Sequence, residues 1–148
     1  MLRRIFAITA FIAVALLTGC ASVPRASRDR DAAAKQFEAP PPGKANLYVF
    51  RDETFGGNWG ATVLLDNRLI GETTHHTFIL TQVNPGEHVL VSKAENDANL
   101  TFVAEAGKTH FVWQEMKMGM WSARATLHMV DEQRGRVGVQ ACELVRSP

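Results

Sequence analysis

This sequence has no block of lysines and arginines, no apolar run long enough to cross a bilayer, and only two cysteines among its 148 residues. Each absence removes a class of function. Nucleic-acid affinity depends mainly on neutralising phosphates, and 16 basic residues dispersed among 15 acidic ones leave no electrostatic footprint for it. The longest apolar run, Ile5 to Leu17, has 13 residues. A helix spanning the hydrocarbon core needs about 20. Signatures of phosphate loops, dinucleotide folds, serine-hydrolase elbows and zinc proteases are all missing. The rest of the composition, 46% hydrophobic and 8% aromatic, is that of a globular protein with one domain.

What is present begins at the N-terminus. Met1-Leu2-Arg3-Arg4, the Ile5 to Leu17 run and Leu17-Thr18-Gly19-Cys20 follow the order of charge, apolar stretch and small-residue cleavage site. The last four residues resemble the bacterial lipobox, in which Thr18 and Gly19 suit the signal peptidase and Cys20 is the lipid attachment site. Residues 1–19 are then a removable lipoprotein signal peptide, and without Arg3 and Arg4 the 14 remaining basic residues face 15 acidic ones, a net charge of −1. Acyl chains contribute about 0.8 kcal/mol per buried CH₂, so a diacylglyceryl thioether with an N-acyl chain would hold Cys20 on a membrane essentially permanently. The next residue is Ala21 rather than the aspartate that favours inner-membrane retention in similar lipoproteins of Gram-negative bacteria. The resemblance therefore implies the periplasmic face of the outer membrane. Acylation of Cys20 leaves Cys142 as a lone thiol, which excludes an intramolecular disulfide. Its strand-like surroundings, Val137 to Leu144, predict a buried and inert side chain.

Residues 20–43 read as a lipidated cysteine followed by a tether, with Pro24, Pro40, Pro41 and Pro42 and a mixed-charge stretch from Arg25 to Glu38. Asp31 to Ala39 has room for a turn or two of helix, but helices shorter than about 12 residues are marginal alone. The expectation is a mostly disordered segment reaching roughly 25 to 30 Å, or about 75 Å at full extension.

Residues 44–146 form a succession of short apolar runs split by turn signals, the pattern of β-strands. Asn46 to Arg51 is apolar on both parities, as in a central strand covered on both faces. Ala61 to Asp66 and Arg68 to Thr73 flank Asp66-Asn67, which tolerate the left-handed geometry of a tight hairpin. Three more hairpins are predicted: His76–Val83 with His88–Ala94 across Asn84-Pro85-Gly86-Glu87, Leu100–Glu105 with Thr109–Glu115 across Ala106-Gly107-Lys108, and Ala123–Asp131 with Arg136–Val145 across Gln133-Arg134-Gly135. With no helical stripe after Gly43, the expected class is all-β: an antiparallel β-sandwich, immunoglobulin-like or prealbumin-like.

Gly43-Lys44-Ala45-x-Leu47-Tyr48-Val49-Phe50-Arg51, Pro85-Gly86-x-His88 and Ala106-Gly107-Lys108-x-x-Phe111-Val112 together resemble the domain-of-unknown-function family 2846. These are small bacterial lipoprotein domains. The resemblance runs from about Gly43 to Val112, with His110 where the family pattern has an aromatic. Pro85-Gly86-Glu87-His88 is also similar to turns of PEGA-type β-sandwich surface domains. Neither resemblance implies a catalytic residue.

Candidate chemistry is sparse. Asp52 to Gly60 reads as a mobile loop presenting Phe55 and Trp59 for binding, against a plainer reading in which both rings fold onto the sandwich. Cys142 with a nearby histidine (His75, His76, His88, His110 or His128) would need an electropositive, partly exposed setting that a mid-strand position does not offer. In an extended chain Met116, Met118 and Met120 share one face, and thioethers are soft ligands suited to Cu(I) or Ag(I). Core filling is the plainer role for methionine, with Gly119 breaking the strand. The adjacent His75 and His76 would point to opposite faces of a strand. The sequence thus predicts no enzyme, cofactor or resident metal. It predicts a lipid-anchored module of the cell envelope whose partner is another envelope protein or a glycan, with a copper or silver carrier using Met116, Met118 and Met120 as the alternative.

Overall fold

The computed structural model describes residues 23–57 and 59–148. The expected signal peptide and Cys20 lie outside the described residues. Strands β1 (Ala45–Arg51), β2 (Ala61–Leu65), β3 (Arg68–Thr73), β4 (Thr77–Val83), β5 (Gly86–Lys93), β6 (Asp97–Ala104), β7 (Thr109–Met118), β8 (Ala123–Val130) and β9 (Glu143–Leu144) form two sheets. One has the order β8-β7-β1-β4-β9 and the other β3-β2-β5-β6. They pack face to face as an all-β sandwich.

The central strand is the one whose sequence is apolar on both parities. All seven residues of β1 are buried. Ala45, Leu47 and Val49 face the second sheet and meet Val63, Ile79, Leu90 and Val112, while Tyr48 and Phe50 face outward into a second apolar layer. β1 pairs with β4 antiparallel and with β7 parallel, and β9 also pairs with β4 in parallel, so the first sheet is mixed. The second is antiparallel throughout. At its core-facing side Thr73 donates to Gln114 Oε1 at 2.5 Å and Gln114 donates to Ser92 Oγ at 2.6 Å. This buried network joins the two sheets with its partners satisfied, which fixes their relative register.

The hairpin at Asp66-Asn67 is present, both residues having positive φ (50° and 63°) as a two-residue turn demands. The other hairpins differ from expectation. Asn84-Pro85 and Glu105–Lys108 carry the chain from one sheet to the other, so β4/β5 and β6/β7 are not paired; the actual hairpins are β5/β6 and β7/β8. Turn residues allow the chain to reverse but do not decide which sheet the next strand joins.

Two further corrections concern helices. Arg136 to Val145, expected as a strand, contributes instead to a helix and a short strand. Helix α2 (Glu132–Gln140) is capped by Asp131, whose carboxylate accepts from Arg134 N at 2.8 Å; β9 follows it. The alternation Val137-Gly138-Val139 imitates a strand, while the face turned to the sheet is Gly135, Gly138 and Val139. A Cβ at Gly135 would lie 2.2 Å from Phe111 Cγ, and one at Gly138 would lie 2.1 Å from Phe50 Cε2. The helix therefore lies almost directly on the aromatic rings, and its buried face carries no apolar periodicity to detect.

The segment expected as a flexible tether is folded onto the domain from Val23 onward. Helix α1 (Arg28–Ala34) is capped by Ser27 and packs on the outer face of the first sheet. Tyr48 Oη donates to Ala34 O at 2.7 Å, and Leu144 N donates to Asp31 Oδ1 at 2.7 Å. Arg25 bridges Val145 in antiparallel fashion, and Phe37 lies against Tyr48 and Phe111 at centroid separations of 5.5 and 6.0 Å. A helix this short gains its stability from caps and tertiary burial. Neither is visible in local propensity.

A candidate recognition surface at one end of the sandwich

Because β1 and β7 run parallel, their C-terminal ends emerge together, and β4 begins and the β5/β6 turn closes at the same end. Two loops cap it: residues 52–57 with 59–60 after β1, and residues 119–122 between β7 and β8.

The first loop is built around a buried cation. Arg51 has no exposed surface. Its Nη1 donates to Trp59 O at 2.8 Å, and its Nη2 donates to Phe55 O at 3.0 Å and Gly57 O at 3.4 Å. Burial pushes its pKa below the ordinary arginine value, with Glu53 opposing that shift. Gly56 has φ 79°, and a Cβ there would stand 2.8 Å from Arg51 Nη2, so glycine is required both for conformation and for space. Glu53 accepts from Trp113 Nε1 at 2.8 Å and from Met116 N at 2.5 Å. Asp52 forms a two-pronged pair with Arg134 at 2.7 and 3.1 Å, and that guanidinium lies over the rings of Phe50 and Trp113. The loop expected to be mobile is thus pinned on three sides. Phe55 and Trp59 remain 39% and 44% exposed.

The second loop is held by a single carboxylate. Glu95, from the β5/β6 turn, accepts the backbone N–H groups of Met120, Trp121 and Ser122 at 2.8, 2.7 and 2.6 Å. The N–H of Gly119 goes to Ser122 O at 2.8 Å. The hydrogen bonds from Trp121 and Met120 are the main reason that Glu95 titrates below the ordinary carboxylate range, with Arg124 adding to the effect. Asn96 clamps Ala125 by both its carbonyl and its amide. On this rigid base Met118, Met120 and Trp121 are 68%, 79% and 86% exposed.

The three methionines do not share a surroundings. Met116 is buried in a small cluster with Ala61, Ala123 and Ala125, whereas Met118 and Met120 face solvent. Cys142 is buried, its Sγ donating to Arg51 O at 3.4 Å, and burial pushes its thiol up to about 12. A thiolate is the nucleophilic form, so this setting suppresses reactivity. His75 donates from Nδ1 to Gly57 O at 2.9 Å, and His76 Nε2 lies 3.3 Å from Thr54 Oγ1. His128 meets Glu115 at 2.9 Å and stacks on Trp113. His110 accepts from Glu105 N, with burial lowering its pKa. His88 belongs to the opposite end, bonded to Asp66 and Asn84 O. Among the described residues no three His, Cys, Asp or Glu side chains are placed to hold a metal ion.

The family model described as "Protein of unknown function (DUF2846)" matches residues 41–126. The chain belongs to this family. The DUF2846 match takes in β1 with Arg51, the pinned loop, Glu95 and the Met118–Trp121 turn, and stops within β8, before α2 and β9. An "Uncharacterized protein" of Haemophilus influenzae is 32% identical over 147 residues, covering 98% of this chain and 88% of its own length. No solved structure matches significantly.

Two residues that shape this surface are not marked by their local sequence. Arg51 was legible as a charge ending an apolar strand, but nothing local marked it as the hub of the loop after it. Glu95 sits in a plain turn, 25 residues before the N–H groups it holds.

Proposed function

We propose that this chain is a lipid-anchored protein of the cell envelope, held through Cys20 at the periplasmic face of the outer membrane, and that it acts as a non-enzymatic binding or envelope-assembly module. The lipobox supports the anchor, and no described helix is long and apolar enough to span a membrane by itself. The observation that carries the binding role is the Glu95-held turn: three large apolar side chains are kept in water on a scaffold that consumes its own polar groups. Such exposure costs solubility and persists where it serves contact. The side chains able to do chemistry nearby are committed elsewhere. Glu53 and Glu95 accept backbone or indole N–H groups, Asp52 is paired with Arg134, and Cys142 is buried.

Packing of Val23 to Phe37 shortens the connection to the anchor. Cys20 is three residues before Val23, a span of at most about 10 Å. The N-terminal segment runs antiparallel to Val145 and Arg146, so Val23 lies toward the end opposite the two loops. Strand rise and spacing put the Met118–Trp121 turn on the order of 35 Å from that point. The domain would stand close to its membrane with the turn directed away from it.

The test of the anchor is fractionation of cells expressing the full chain and Cys20→Ser. The expected result is wild-type protein in membranes as a lipidated form, and Cys20→Ser released or left as an uncleaved precursor. Equal maturation and membrane association of both would overturn it.

A further inference from the structure

We infer that the Met118–Trp121 turn, with Phe55 and Trp59 beside it, docks a protein partner that presents an apolar pocket rimmed by carboxylates. This deepens the binding reading and rests on it. The first loop abuts the base of the turn: a Cβ at Gly56, between Phe55 and Trp59, would lie 3.5 Å from Cβ of Ala123, the residue that follows the turn. Tryptophan, phenylalanine, methionine and arginine are the residues in which the centres of protein interfaces are enriched. All four types are presented at this end of the sandwich, Phe55 and Trp59 on the first loop, Met118, Met120 and Trp121 on the turn, and Arg124 at its base.

The hydrogen-bonding state of the turn separates a protein from a glycan. A sugar presents many hydroxyls, and a site for it must offer donors and acceptors or leave them unpaired. Here the N–H groups of Gly119, Met120, Trp121 and Ser122 are already used within the fold. No carboxylate or amide side chain occurs between Lys117 and Arg124. What remains to meet a partner is mainly apolar surface and two cations, with the Trp121 indole N–H and the Ser122 hydroxyl as the only polar side-chain groups between Lys117 and Arg124, far fewer than a sugar's hydroxyls would need.

Those cations define the rim. Lys117 and Arg124 flank the turn with side chains 62% and 54% exposed; Lys117 leans on Glu115 at 3.1 Å and Arg124 only loosely on Glu95 at 3.8 Å. Carboxylates on the partner complete this pattern and set orientation and on-rate. Lipid is the other apolar occupant, and the position of the turn, on the order of 35 Å from the point where the chain leads to Cys20, directs it away from the membrane that the anchor would use. Because Glu95 has already ordered the turn, little further ordering is needed on docking.

The experiment places a photoreactive benzoylphenylalanine at position 121 of the full chain, in cells of the bacterium that makes it, with the same group at the exposed Val137 of α2 as control. The expected result is one protein adduct from position 121 and none from 137, reduced at least tenfold by Lys117→Glu with Arg124→Glu. The protein identified in that adduct, purified and titrated against the full chain, should bind Trp121→Ala at least tenfold more weakly than wild type, with unchanged circular dichroism. Label on phospholipid or glycan, no adduct, equal adducts from both positions, or indifference to charge reversal would each overturn the proposal. Fractionation of the same cells reports on the anchor separately, so failure there is distinguishable from failure at the turn.

Discussion

Arg51 Nη1 and the carbonyl oxygen of Trp59 are 2.8 Å apart, and through this contact a cation with no exposed surface positions an aromatic ring at the surface. Replacing Arg51 by Met keeps much of the volume and removes the guanidinium donors to the carbonyls of Phe55, Gly57 and Trp59, leaving only His75 on Gly57 O. Hydrogen bonds to a charged group are worth about 1.5–3 kcal/mol, and a loss in that range is expected in denaturant unfolding, with faster amide exchange at Gly57 and Trp59. Unchanged exchange at both positions would show that the loop holds itself.

Gly138 and Phe50 test the contact that hid α2 from the sequence. Alanine favours helix over glycine by about 1 kcal/mol, so helix propensity alone predicts stabilisation by Gly138→Ala. The opposite is expected, because a Cβ 2.1 Å from Phe50 Cε2 forces the helix off the sheet. Overpacking of this kind costs about 1–3 kcal/mol or more, and thermal melts of Gly135→Ala and Gly138→Ala should both fall.

How much of the molecule was legible follows from where its information lies. β1, the Asp66-Asn67 hairpin and most strand boundaries were readable because alternation and turn chemistry are local. The pairing of β5 with β6 rather than β4 was not, since sheet membership is decided by partners far apart in sequence. α2 was missed because its buried face is mostly glycine, with Val139 as its one large apolar side chain, and α1 because its stability comes from tertiary contacts, Ala34 with Tyr48 and Asp31 with Leu144, rather than from its helix propensity. At the candidate site the exposed aromatics were visible as loop residues, but the two side chains that fix them, Arg51 and Glu95, act across the fold.

The packed N-terminal segment reverses the expectation of a mostly disordered tether from Val23 onward. A chain starting at Lys44 loses the Tyr48–Ala34 and Leu144–Asp31 hydrogen bonds and uncovers Tyr48, Phe78 and Phe111. Burial of large apolar side chains contributes about 1.5–3 kcal/mol each. The truncated chain should therefore lose more than about 2 kcal/mol relative to one starting at Ala21, measured by denaturant unfolding. Equal midpoints and slopes would mean that the helix rests on the domain without stabilising it.

His88 faces two acceptors, Asp66 Oδ2 at 2.6 Å and Asn84 O at 2.7 Å, an arrangement that both ring nitrogens can satisfy as donors only in the protonated ring, and so favours that form. Burial opposes the charge, but the Asn84 carbonyl and the Asp66 carboxylate outweigh it and raise the pKa above the ordinary 6.5. A raised histidine pKa gives stability that is complete below the unfolded value and is lost as pH rises through the folded one. Asp66, lowered mainly by the Val89 N–H and then by His88, acts at the acid side: its contribution is present above the ordinary 3.8 and is lost as pH falls through its folded value. The stability advantage of wild type over His88→Gln should be largest between these limits and shrink as pH rises above 6.5. An advantage that stays constant into the alkaline range would contradict the ion pair.

The methionines carry the sharpest contrast between packing and metal chemistry. Met116 is 4% exposed among Ala61, Ala123 and Ala125, so Met116→Ala should cost about 2–5 kcal/mol, whereas the exposed Met118→Ala and Met120→Ala should stay within about 0.5 kcal/mol of wild type. A Cu(I) site would reverse this ranking, since the thioethers that bind the ion would matter to affinity and little to stability. Titration of the reduced protein with Cu(I) against a competing chelator, followed by tryptophan fluorescence, distinguishes the two because Trp121 adjoins Met120. Packing predicts no tight stoichiometric binding and a melt sensitive to Met116 alone. Stoichiometric binding that disappears when Met116 and Met118 are both replaced by alanine, with little change in the melt, would establish the metal reading instead.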